Sequence, residues 1–100
     1  MSKNLLKENA ETVEKTLHEK GFDHLYVNLM ADHLIIYSKN ETVKVNRARL
    51  SFIKKDDYQL SMADHNGRWE ATPYTGSLDE LLELLTNDFS FALIDFDDFN

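Results

Sequence analysis

Between Leu25 and Thr72 the apolar residues recur at every second position, and four turn signals cut that stretch into five pieces. Alternation with a period of two marks strands that bury one face. Leu25, Val27 and Leu29 alternate with Tyr26, Asn28 and Met30, and Ala31-Asp32 makes the first turn. Leu34-Ile35-Ile36-Tyr37 reads as a second strand, apolar on both faces. Beyond Lys39-Asn40-Glu41 a third strand begins at Thr42, and beyond Lys54-Lys55-Asp56-Asp57 a fourth carries Tyr58, Leu60 and Met62. Asn66-Gly67 is a strong hairpin signal. It leads into Arg68-Trp69-Glu70-Ala71-Thr72, which Pro73 is expected to end because proline has no amide to donate. Links this short join antiparallel neighbours. The pattern is therefore an antiparallel meander.

The third strand contains a change of parity. Val43 and Val45 are odd-numbered, whereas Leu50 and Phe52 are even. One face stays buried across that change only if an extra residue is accommodated, so a bulge or break is expected near Asn46-Arg47-Ala48.

Helical spacing flanks the meander on both sides. Leu6, Ala10, Val13 and Leu17 share one face of a helix over residues 3–20, with Gly21 placed to end it and Phe22 to fold back on Leu17. Ser77-Leu78-Asp79-Glu80 is a capping box, and Leu78, Leu81, Leu82 and Leu85 give the second helix its apolar face. Phe89 to Phe96 is apolar on both parities and reads as a final strand or an extended docking segment. It is buried either in its own sheet or across a homodimer. The expected fold is α+β over residues 1–100 as one domain: helix, about five antiparallel strands, short helix, C-terminal strand, with both helices on one face.

The absence of cysteine removes disulfides, thiolate metal sites and cysteine nucleophiles. No apolar run approaches the roughly 20 residues that span a bilayer, and Met1-Ser2-Lys3-Asn4 does not open a signal peptide. A cytoplasmic protein that does not engage membranes is expected. The 18 acids exceed the 11 Lys and Arg, giving a formal charge of -7. All 11 cations precede Trp69, and residues 69–100 carry 8 acids and none. An acidic chain is a poor match for phosphate backbones, so a protein with a basic surface is the expected partner, not nucleic acid.

Three Asp-His dipeptides, Asp23-His24, Asp32-His33 and Asp64-His65, suggest metal ligands, but aspartate also belongs in turns through bonds to nearby amides. Glu11, Glu14 and His18 share a helix face that suits a divalent cation, or a solvated face interleaved with Lys7 and Lys15. Lys44, Arg47, Arg49, Lys54 and Lys55 are the one basic cluster, with Phe52 and Tyr58 close in sequence. Such a strand can hold single-stranded nucleic acid or merely protect a sheet edge. No nucleophile elbow, phosphate-cradling loop or metallopeptidase pair is present, so no enzyme is expected. Trp69, Pro73 and Tyr74 stand together between strand and helix, where Trp69 either anchors a partner or fills the core beneath the second helix.

The order of elements resembles the frataxin family, best from Lys39 to Leu85. Trp69 and Ser77-Leu78-Asp79-Glu80-Leu81-Leu82 look like that family's last strand and second helix, and Asn46-Arg47 sits where it tends to carry Asn with a basic residue. The resemblance implies binding of Fe²⁺ or another divalent cation by Glu8, Glu11, Glu14, Asp23 and His18. Two functional expectations result. The first is a small acidic non-catalytic inhibitor, immunity-type or regulatory protein without a cofactor. It would engage its partner through Trp69, Tyr74, Glu70, Asp79, Glu83, Asp95, Asp97 and Asp98. The alternative is a frataxin-like iron-binding protein using Glu11, Glu14, His18 and Asp23.

Overall fold

Leu6, Val13 and Leu17 are buried along one face of α1, Lys3–Glu19. The helix ends in a Schellman motif: Phe22 N–H donates to the Leu17 carbonyl at 2.9 Å and Gly21 N–H to that of His18 at 3.0 Å. Gly21 supplies the left-handed residue the motif needs, at φ 97°. The computed structural model describes residues 3–64 and 66–93.

Five strands follow: β1 Leu25–Met30, β2 His33–Asn40, β3 Val43–Lys54, β4 Asp57–Ala63 and β5 Trp69–Gly76. They form one antiparallel sheet in the order β1-β2-β3-β4-β5. The first three hairpins turn through two residues each, and Ala31, Glu41 and Asp56 supply the positive φ such turns require. In the fourth, the Asp64 carboxylate accepts the amides of Asn66 and Arg68, both at 2.8 Å, and Gly67 takes φ 79°. Asp64 thus acts here as a turn residue.

The expected bulge lies at Arg47. Ile36 pairs with Ala48 and Tyr37 with Asn46, leaving Arg47 unopposed. This extra residue lets Ala48 and Leu50 enter the core while Val43 and Val45 stay on the same side. Pro73 does not end β5, contrary to the sequence expectation. The strand runs on to Gly76 because β5 is an edge, where a missing amide costs no ladder bond, and a register shift opposite Leu60 absorbs the proline.

The helix α2, Leu78–Asn87, begins at Ser77 with both halves of the capping box formed: Glu80 N–H to Ser77 Oγ at 3.2 Å and Ser77 N–H to Glu80 Oε1 at 3.1 Å. Both helices cover one face of the sheet. The core between the layers joins Val13 and Leu17 of α1, Leu81 and Leu85 of α2, and Leu34, Ile36, Leu50 and Leu60 of the sheet. Tyr58 is also in it, 2% exposed, its hydroxyl oxygen accepting Asn9 Nδ2–H at 2.7 Å. No described helix is long and apolar enough to cross a membrane.

The expected final strand is replaced, over Ser90–Leu93, by a 3₁₀ turn, η1. A strand would place Phe91 and Leu93 on one face, yet Phe91 is 63% exposed and Leu93 fully buried. The cap residue Asp88 stays helical (φ -75°, ψ -32°), so the chain keeps coiling, with Leu93 entering the core, Phe89 packed against it and Phe91 left outside. His24 Nε2–H donates to the Leu93 carbonyl at 2.6 Å and holds it there. The rest of the segment, residues 94–100, lies outside the described residues, as does His65.

Candidate functional site on the open face of the sheet

The helices leave the second face of the sheet uncovered. Strand parity places one set of side chains on it, and the register aligns them in three rows. The central row is Asn28, Ile35, Arg49, Ser61 and Ala71, each directly opposite the next. To one side run Met30, His33, Ser51, Gln59 and Thr75. To the other lie the pairs Tyr26–Tyr37, Tyr37–Asn46 and Ala63–Trp69. Lys39 and Lys44 pair just beyond Tyr37.

These rows contain no Asp or Glu, in a chain with 18 of them. The nearest acid by parity is Asp57, at the β3–β4 turn. The cations sit on rings: Lys44 Nζ lies 4.2 Å from the Tyr37 centroid and the Arg49 guanidinium carbon 5.0 Å from that of Trp69. Tyr26 packs on Tyr37 with centroids 5.8 Å apart. Ser61, directly opposite Arg49 on this face, is 1% exposed. Two polar atoms, Arg49 Nε and Asn46 Oδ1, are buried without a hydrogen-bond partner among the described residues. A buried unpartnered donor is costly, and its usual explanation is a ligand or water that completes it.

The same face carries His33 Nδ1 at 2.8 Å from Ser51 Oγ. A nucleophile–base pair has this composition, but it needs a third group to orient the imidazole. Among the described residues, none bonds the other ring nitrogen of His33.

Residues 7–92 match the family model described as "Domain of unknown function (DUF3024)". The chain belongs to the DUF3024 family. All five strands, α2 and most of α1 fall within the match. No curated protein and no solved structure gives a significant match.

The residues singled out in sequence fall on opposite sides of this DUF3024 domain. Trp69 does not fill the core beneath α2; register puts it on the open face, half-buried under Arg49. Glu70, opposite the core-facing Met62, is on the helix side, and Tyr74 stacks there on Phe89 at 5.7 Å. Asp79 and Glu83 are exposed on α2, where Glu83 meets Lys20 at 3.5 Å and Asn87 at 2.6 Å. Asp95, Asp97 and Asp98 lie outside the described residues.

Glu11, Glu14 and His18 line a shallow hollow on α1 with Lys15 and Glu19. His18 Nε2–H is committed to the Leu25 carbonyl at 2.7 Å, and Asp23 is exposed in the turn beyond the helix. Among the described residues, no three His, Asp or Glu come together as a metal site. A cleft of about 610 Å³ opens between β3, the β4–β5 turn and η1, with Arg47 in its wall. Arg47 is engaged: its Nε–H donates to Ser38 Oγ at 3.0 Å. Trp69 and Arg49 each stand out in the sequence, but their pairing depends on the register of three strands.

Proposed function

We propose that this domain is a non-catalytic binding module that takes an anionic partner on the open face of its sheet. One observation carries the reading: three rows without a carboxylate around Arg49, whose buried Nε–H has no acceptor among the described residues. Around it stand Lys39, Lys44 and three rings, the combination of cation and aromatic that serves as a binding anchor elsewhere. Charge and hydrogen bonding favour a partner that brings oxygen acceptors to Arg49. Rim lysines steer such a partner and make its association depend on salt.

The expected basic partner is a second reading, and it uses the other side. Asp79 and Glu83 are exposed on α2, and no lysine or arginine follows Arg68. The two readings separate in one experiment, amide-shift mapping with polyglutamate, oligothymidylate and polylysine in turn. Shifts on the open face with at least one polyanion, and none there with polylysine, support the proposal. Shifts confined to α1 and α2 with polylysine alone refute it and restore the basic partner.

A further inference from the structure

The open face repeats one unit. Tyr37 has Lys44 over its ring, and Trp69 has Arg49, so each aromatic plane carries a cation, 4.2 and 5.0 Å from its centroid, that a stacking base displaces from the ring onto its own phosphate. A nucleotide has the complementary unit, a planar base beside an anionic phosphate. We infer that the anionic partner is a single strand of nucleic acid, its bases on Trp69, Tyr37 and Tyr26 and its phosphates on Arg49, Lys44 and Lys39. This inference rests on the open-face reading and narrows it.

One chemical difference favours a nucleic-acid strand over an acidic peptide, and two observations are compatible with it. A peptide carboxylate satisfies the cations but brings nothing flat to the rings, whereas every base has a face to stack. The two buried orphans are one donor, Arg49 Nε, and one acceptor, Asn46 Oδ1. A phosphate oxygen and a base N–H are partners of those two kinds, as a carboxylate and a peptide N–H also are, so the choice rests on stacking. Finally, five strands at about 4.8 Å make a platform roughly 20 Å wide, in the range of a short single-strand site. A duplex keeps its base faces stacked away from such a platform, so the strand must be single.

Part of the net charge of -7 lies away from this face. Glu8, Glu11, Glu19, Asp79 and Glu83 are exposed on the two helices, across the sheet from the rings. A helix is about 10 Å thick, and screening at physiological ionic strength acts over roughly 8 Å. The face is read locally as cationic. The far acids act mainly on long-range approach, so association is slow at low salt compared with a basic protein and never tight at high salt.

The test is fluorescence anisotropy of a labelled oligothymidylate of about twelve nucleotides. Competitors are an abasic phosphodiester of equal length, a duplex of equal length, and polyglutamate. Oligothymidylate is expected to bind, the abasic strand and duplex to bind far more weakly, and polyglutamate to compete poorly. Trp69→Ala weakens binding about 5- to 150-fold, while Trp69→Phe, which keeps a ring, retains most of it. Because the abasic comparison uses the unaltered protein, it decides the matter even if Trp69→Ala fails to fold. Equal binding of abasic strand or polyglutamate, with shifts on the open face, overturns the nucleic-acid inference and leaves the anionic-partner reading intact. Binding of no anionic probe overturns both.

Discussion

Replacing Tyr58 by phenylalanine removes one hydroxyl from the seam between α1 and the sheet. That oxygen accepts Asn9 Nδ2–H at 2.7 Å from a ring that is 2% exposed. A neutral hydrogen bond of this kind contributes about 1 kcal/mol net. Asn9 is partly exposed and can turn to water, which holds the loss near that figure rather than at the full cost of an orphaned donor. For a domain of this size the change lowers Tm by about 4–8 °C. The pH dependence is more telling. Burial pushes the Tyr58 phenol above its ordinary 10.0, opposed by the Asn9 bond and reinforced by the charge of Asp56. With the folded pKa above the unfolded one, the native state holds the proton longer as pH rises. The associated stability is fully present below about pH 10 and drains away above it. The Tyr58→Phe variant has no phenol to ionise at this position, so it escapes that part of the loss. Urea melts of both proteins at about pH 8 and about pH 11 should show the gap narrowing at the higher pH. A gap that stays constant across the range would refute the buried-phenol argument.

Two further substitutions test other joints of the fold. Ser77→Ala removes the acceptor for Glu80 N–H at the start of α2 and should cost about 1 kcal/mol in chemical denaturation. Stability equal to the parent would mean that the capping box carries no weight. Leu93→Ala opens a cavity where η1 meets the core and should cost about 2–5 kcal/mol, a large part of a typical domain's stability. A loss well under about 1 kcal/mol would mean that η1 is not part of the core.

Much of this architecture is readable from local pattern, and the failures share a cause. Each strand's parity follows from its own alternation, as Leu25-Val27-Leu29 and Tyr58-Leu60-Met62 illustrate. The bulge at Arg47 is readable because it leaves a parity change behind, and the α2 cap because its residues are close neighbours in the chain. The segment after α2 misleads because Phe89, Phe91 and Leu93 keep strand parity while the Asp88 backbone keeps coiling. Pro73 misleads because only the strand order makes β5 an edge. The open face is the deepest case. Tyr26, Tyr37, Arg49 and Trp69 occupy the parity opposite the core in their own strands, yet nothing local says that Arg49 will lie on Trp69. That contact needs the registers of β3–β4 and β4–β5 together. Net charge is likewise a sum over two faces that the sheet separates, so it does not describe either face alone.

The most direct measurement of the central claim is the side-chain Nε–H resonance of Arg49, followed by NMR as the oligothymidylate is added. This N–H has no acceptor among the described residues. The account predicts that it shifts and becomes protected from exchange on binding, together with the Trp69 indole N–H. If the strand binds and both signals stay where they were, the open face of the sheet is not where it binds.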